Sequence, residues 1–206
     1  MAKLPLPPTK SSLLSLQRNL EFAQEGYDLL EQKRQILVLE LMSRLEASKR
    51  AQVDVDEAMA RAHAALREAA LRSGTEALAR EALGIVRAHK IEVRSRPVMG
   101  LELPSVSAQH EAPKPEFSAA SGSVLSDEVM RSFTAALAPI AHLAEVENAV
   151  LRLATEVRRT QRRVNALDKV FIPDYKETID YVEDVLEERE REQFVIMKIA
   201  KAHAAE

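Results

Sequence analysis

The stretch from Val157 to Gln193, VRRTQRRVNALDKVFIPDYKETIDYVEDVLEEREREQ, is compatible with very few folds. It joins a three-four apolar spacing to a cluster of four arginines, a lone internal proline and a dense run of opposite charges. A three-four spacing keeps one stripe of a helix against a partner helix while the rest stays in water. The register runs Val146, Val150, Leu153, Val157, Thr160, Val164, Leu167 and Phe171. Beyond Pro173 it continues through Thr178, Val182, Val185, Ile196 and Ile199.

A second stripe lies near the N-terminus. Leu13, Leu16, Leu20, Ala23, Tyr27, Leu30, Leu37 and Leu41 are followed by Ala51, Val55, Ala58, Ala62, Ala65 and Ala69. Arg34, Arg44 and Ser48 fall on the same register, so the seam is imperfect. Aromatic residues make up only 4% of the 206, Trp is absent, and 30% are charged. Large rings dominate compact cores; here Ala, Leu and Val carry the apolar content, as thin helix-helix seams require. The expected fold is therefore all-α: a long antiparallel two-helix coiled coil of the N- and C-terminal helices, with a short β-hairpin in the middle segment. Parallel pairing would need a long unpaired crossover and would waste the hairpin. No internal repeat is visible.

The expected organisation follows. Residues 1–10, with Pro5, Pro7 and Pro8, form an irregular lead-in, and Thr9 is placed to cap the first helix. That helix covers 11–74 and ends at Ser73-Gly74, where glycine suits a C-terminal cap. About 60 such residues make a rod of roughly 90 Å. Residues 75–125 hold a short helix from Thr75 to Leu83 stopped at Gly84, a hairpin and a mobile loop. Ile91 to Arg96 and Leu101 to Leu103 alternate at the strand period. Pro97-Val-Met-Gly100 supplies the turn, Pro104 limits the second strand, and residues 104–125 form the loop. The second long helix covers 126–206, opening on a Ser126 hydroxyl cap with Asp127 and Glu128 at the positive end of the dipole.

Zero cysteines exclude disulfides and thiolate metal ligands and fit a reducing compartment. The net charge of −3 gives no general attraction to nucleic acid or acidic lipid. The N-terminus lacks the sustained apolar run of a signal peptide. The longest uncharged helical stretch, Ser132 to Ala144, contains Pro139 and His142 and falls short of the roughly 20 residues a membrane span needs.

Arg158, Arg159, Arg162 and Arg163 fall on one side of a helix. They form either a solvated face or a contact strip for an acidic partner. Nothing aromatic accompanies them, which disfavours nucleic acid. Glu187 to Glu192 alternates acid and base so that Glu187 and Arg191 make an i,i+4 pair; the run reinforces the helix. As a cation site it is poor, because the arginines neutralise its carboxylates. Pro173 removes the bond to the Lys169 carbonyl and makes that turn a bend candidate. The histidines at 63, 89, 110, 142 and 203 show no ligand spacing, and the five glycines build no phosphate loop. No nucleophile and base come together, so the chain is expected to be non-catalytic and to hold no cofactor or metal.

Thr160-Gln-Arg-Arg-Val-Asn-Ala-Leu-Asp-Lys-Val-Phe-Ile-Pro173, followed by Val185-Leu-Glu-Glu-Arg-Glu-Arg-Glu192, closely resembles the D subunit of V-type and archaeal-type rotary ATPases. Pro8-Thr-Lys10, Leu13-Leu14 and Gly26-Tyr-Asp-Leu-Leu-Glu-Gln-Lys-Arg34 resemble that protein's opening helix. The resemblance covers roughly 8–50 and 146–200; the middle is matched only by its hairpin-like pattern.

The resemblance implies a non-catalytic central rotor shaft on the cytoplasmic side of a membrane, peripheral and without membrane insertion of its own. Its partners would be the catalytic and regulatory subunits of the ATPase hexamer, the small F-type stalk subunit and the funnel subunit on the membrane ring, which moves protons or sodium ions. Arg158, Arg159, Arg162, Arg163 and Asn165 are then candidates for partner contact, and residues 85–105 for coupling the shaft to its base. Two rivals stand beside it: a coiled-coil tethering or membrane-associated scaffold, and a helical nucleic-acid-binding arm.

Overall fold

In the computed structural model, residues 6–83, 90–98, 100–109 and 123–203 are described. Gly84, His89, His110 and the stretch 110–122 of the expected loop lie outside them. The elements are α1 (Lys10–Ser73), α2 (Thr75–Ala82), β1 (Lys90–Val98), β2 (Leu101–Gln109), α3 (Val124–Ala166), a π-helical turn (Leu167–Phe171) and α4 (Ile172–His203). Two long helical runs with a small antiparallel hairpin between them are what the apolar stripes demanded. The chain divides into two compact units, residues 1–37 with 156–206 and residues 38–155.

In the first unit, the start of α1 packs against α4. Thr9 caps α1: its hydroxyl accepts the Ser12 amide at 3.2 Å and its carbonyl accepts the Leu13 amide at 3.0 Å. Leu16, Ile179 and Val182 form a buried cluster, flanked by Leu13, Leu20, Tyr175 and Leu186. Contacts across the pair run in opposite directions along the two helical arms. Lys10 meets Glu190 at 2.6 Å, Gln17 meets Glu183 at 3.3 Å, and Lys33 meets Glu156 at 3.2 Å. Arg34, on the apolar register, is satisfied within its own helix by both carboxylate oxygens of Glu31.

In the second unit, the later part of α1 contributes mainly alanines to the seam: Ala51, Ala58, Ala62 and Ala69 are buried. Ala136, Val146, Ala149 and Leu153 of α3 are buried as well. Small side chains let two helices approach closely and leave little apolar surface to cover. His63 meets Phe133 edge to face, ring centres 5.7 Å apart. α1 ends at Gly74, whose positive φ of 82° is open to glycine at no steric cost; with ψ at 148° the chain turns out of the helix there instead of adopting the left-handed helical cap.

Three local expectations are corrected. Pro104 does not limit the second strand. β2 runs to Gln109 and Pro104 pairs with Ser95. Antiparallel pairs alternate between residues that bond each other and residues whose N–H and C=O point outward. The outward set includes Glu102 and Val106, whose backbone groups bond α3 side chains, so Pro104 between them sits where the ladder needs no N–H. The same alternation accommodates Pro97, opposite Glu102. Residues 105–109, assigned to the loop from sequence, are therefore strand.

Ser126 is not the cap of α3. The helix begins at Val124, and Ser123 serves instead, its hydroxyl accepting the Leu125 amide at 3.2 Å and its carbonyl the Ser126 amide at 3.0 Å. Ser126 is buried one turn later and donates its hydroxyl to Glu81 of α2.

The C-terminal register does not stay buried throughout. Phe171, Ile196 and Ile199 are exposed. Phe171 lies in the π turn, where i→i+5 bonding puts an extra residue into the turn and a three-four register cannot be kept. Ile196 and Ile199 lie beyond Glu190, the residue opposite Lys10 at the start of α1, so no turn of α1 faces them.

Candidate partner-contact surfaces

The four arginines stand on the last turns of α3, all exposed, on the side opposite buried Thr160 and Val164. The seam residues fix the rotation of the helix, and that rotation turns Arg158, Arg159, Arg162 and Arg163 to solvent. Among the described residues none of the four guanidinium groups is in an ion pair. Asn165 is also exposed, its side-chain oxygen accepting a bond from Gln161 at 2.8 Å. The strip is thus a block of uncommitted donors on a rigid element, available to carboxylates at no cost in broken intramolecular pairs.

Immediately after it the helix changes hydrogen-bond period. The Ile172 amide bonds the Leu167 carbonyl, five residues back, and helical dihedrals persist at both Ala166 and Ile172. The chain therefore does not break before Pro173, which stands at the second position of α4, directly after the π turn. Between the Gln17–Glu183 and Lys33–Glu156 contacts, α1 uses 16 residues and the facing arm 27.

The Glu/Arg run does more than reinforce α4. Glu187 and Arg191 pair within the helix at 3.1 Å, as the spacing required. Arg189 donates to the Pro8 carbonyl at 2.9 Å and Glu190 binds Lys10, so the run also ties the two ends of the first unit together. Each partner shifts the other: Lys10 holds the Glu190 carboxyl below the usual carboxylate range by hydrogen bonding and charge. Glu190 raises the Lys10 ammonium by the same two effects. Past this tie, Phe194, Val195, Ile196, Met197 and Ile199 project from α4, each more than half exposed.

In the second unit, the hairpin is fastened to α3 by its outer backbone. Glu145 accepts the Val106 amide at 2.7 Å, and Arg152 donates to the Glu102 carbonyl. The same unit holds a groove, with a cavity of about 460 Å³, lined by Met59 and Leu66 of α1, Leu78 of α2, and Val129, Phe133 and Leu137 of α3 among others. Sequence reasoning missed both the fastening and this groove. Neither leaves a sequence signal, because Glu145 and Arg152 look like any surface residues of an amphipathic helix. Among the described residues no three His, Cys, Asp or Glu side chains come together as a metal site.

Residues 12–202 match the family model for the D subunit of ATP synthase. The chain belongs to the ATP synthase D-subunit family. It is 38% identical over 200 residues to a D subunit of the V-type ATP synthase of Treponema pallidum, the one numbered 2, covering 97% of this chain and 96% of that protein. It is 35% identical over 198 residues to the V-type ATP synthase D subunit of Thermotoga neapolitana, covering 96% and 98%. The A-type ATP synthase D subunit of Pyrococcus furiosus is 34% identical over 202 residues, covering 97% and 94%. The match thus extends through the middle segment, where sequence alone had offered only a hairpin-like pattern. Family membership directs attention to surfaces that meet other subunits. The arginine strip carries four like charges, is exposed, and has no ion pair among the described residues.

Proposed function

We propose that the chain is the non-catalytic central rotor shaft of a V/A-type rotary ATPase or ATP synthase. It transmits torque between the hexamer that hydrolyses or makes ATP and the membrane ring that moves ions. The observation that carries this reading is the pairing of two long antiparallel helices over a thin seam in a member of the D-subunit family. A shaft needs stiffness along its axis and weak, interchangeable contacts around it. Alanine-rich burial supplies the first with little apolar surface, and charged outer faces supply the second.

In this reading the chain works on the cytoplasmic face of the membrane, with the hexamer subunits, a small F-type subunit and a funnel subunit as partners. No described helix is long and apolar enough to cross a membrane, which is compatible with a peripheral place. Arg158, Arg159, Arg162, Arg163 and Asn165 contact acidic loops of the hexamer or support the F-type subunit. Pro173 marks a bend that makes the shaft asymmetric, so a three-fold partner can sense its orientation. The 27-residue path facing 16 residues of α1 supports the bend, since helical rise makes these about 40 and 24 Å. Two straight parallel helices cannot share both contacts, and the π turn and Pro173 lie inside the longer path.

Reconstitution with the hexamer and the F-type subunit tests the assignment. Copurification and ATP-driven rotation are expected, with loss of coupling when the hairpin is deleted and retention of the helical circular dichroism signal. Self-association into a stable dimer, with no binding to either partner, would instead favour a tethering scaffold.

A further inference from the structure

The hairpin's two outer edges are treated differently. On β2 the outward-facing backbone is occupied, with the Val106 amide on Glu145 and the Glu102 carbonyl on Arg152. Residues opposite an outward-facing position also face outward. Val93 and Ser95, opposite Val106 and Pro104, and Ile91, opposite Ala108, therefore direct their N–H and C=O groups away from the ladder. Among the described residues nothing bonds them. Pro97, opposite Glu102, has no N–H to offer and ends the open run at one side.

The side chains beside this edge point to one kind of occupant. Ile91 and Val93 are 62% and 66% exposed. With Pro104, Val106, Leu137 and Ile140 they line a groove of about 430 Å³ between the hairpin and α3. The other face of β1 carries Lys90, Arg94 and Arg96. Glu92 pairs with Lys90 at 3.1 Å and with Arg94 at 3.2 Å, which leaves Arg96 without an acidic partner among the described residues. We propose that the outer edge of β1, from Ile91 to Ser95, is a strand-addition site. It takes an extended segment of a partner protein that alternates apolar and acidic residues. The segment's backbone completes the ladder, its apolar side chains extend the groove over α3, and its carboxylates lie beside Arg94 and Arg96. Unpaired edge groups are an invitation to pairing that proteins ordinarily block; among the described residues the block is built on β2 and not on β1. The inference concerns the hairpin's chemistry and holds whether or not the chain turns as a shaft.

The test uses the full chain and an acetylated eight-residue peptide alternating valine and glutamate, followed by amide hydrogen exchange. The expected result is slowing of the Ile91, Val93 and Ser95 amides by tenfold or more, with the Arg94 and Arg96 amides unchanged. Val93→Pro removes an outward donor at a position where the ladder needs none. It should abolish peptide binding and leave the β1–β2 pairing protected. The double variant Arg94→Glu with Arg96→Glu should weaken the peptide at least fivefold and accept its valine-lysine counterpart instead. No slowing at millimolar peptide, slowing that survives Val93→Pro, or shifts confined to Leu137 and Ile140 would each overturn the proposal.

Discussion

The Glu145 carboxylate accepts the backbone amide of Val106 at 2.7 Å, across 39 residues of sequence. This bond and the one from Arg152 hold β2 against α3 and fix where the hairpin stands. A part-buried hydrogen bond to a charged group contributes about 1.5–3 kcal/mol, and its loss strands a donor. Glu145→Ala should therefore speed exchange of the Val106 amide by roughly tenfold or more. The helical circular dichroism signal should stay unchanged. An unaltered exchange rate would mean that the groove's apolar contacts alone hold the hairpin.

The Lys10–Glu190 pair predicts how the ends of α1 and α4 respond to pH. Glu190 is held below its ordinary value of 4.5, so its contribution is present above that value and is lost as pH falls through the lowered one. Lys10 is raised above 10.5, so its contribution is present below that value and is lost as pH rises through the raised one. Both groups are exposed, so the effect should appear as local fraying and shrink in high salt. Protection of the Leu13 amide, its exchange rate relative to the intrinsic rate at the same pH, should fall at both extremes, and Lys10→Ala should remove that fall. Acid fraying of equal size in that variant would assign it to other carboxylates.

Leu16 is 1% exposed and Leu14, two residues earlier, is 56% exposed. Leu16→Ala leaves a cavity against Ile179 and Val182 and should cost about 2–4 kcal/mol. Leu14→Ala should stay within about 0.5 kcal/mol. Urea denaturation monitored by circular dichroism distinguishes them. Equal costs would mean that the Leu16 cluster is not the stabilising contact of the first unit.

Replacing Arg158, Arg159, Arg162 and Arg163 together by glutamate breaks no intramolecular ion pair among the described residues. The isolated chain should therefore keep its stability within about 1 kcal/mol. Binding to the hexamer or the F-type subunit should fall by at least tenfold. Unchanged binding and rotation would remove the strip from the interface.

The apolar stripes were legible because a helix seam is a one-dimensional pattern. Leu16, Ala23, Leu37, Ala58, Ala62 and Ala69 were all on the expected register, and all are buried. The Thr9 cap and the Gly74 stop were legible for a similar reason, as each depends on backbone within a few residues of itself. The exposure of the arginines follows from the same arithmetic, because placing Thr160 and Val164 in the seam turns their neighbours outward.

Other features waited on contacts between distant segments. Pro104 reads as a strand terminator until the register shows which of its neighbours face outward. A serine at 123 or at 126 can cap a helix, and only the burial of Ser126 against Glu81 decides between them. Ile196 and Ile199 continue a seam pattern, yet their burial depends on where α1 begins relative to α4.

The sequence by itself determined two long helices, the stripe each buries and the hairpin's approximate place, because periodicity and capping act through near neighbours. Only the tertiary structure decided the hairpin's true length and its fastening through Glu145 and Arg152. These depend on which groups meet across the fold, and no local pattern encodes that.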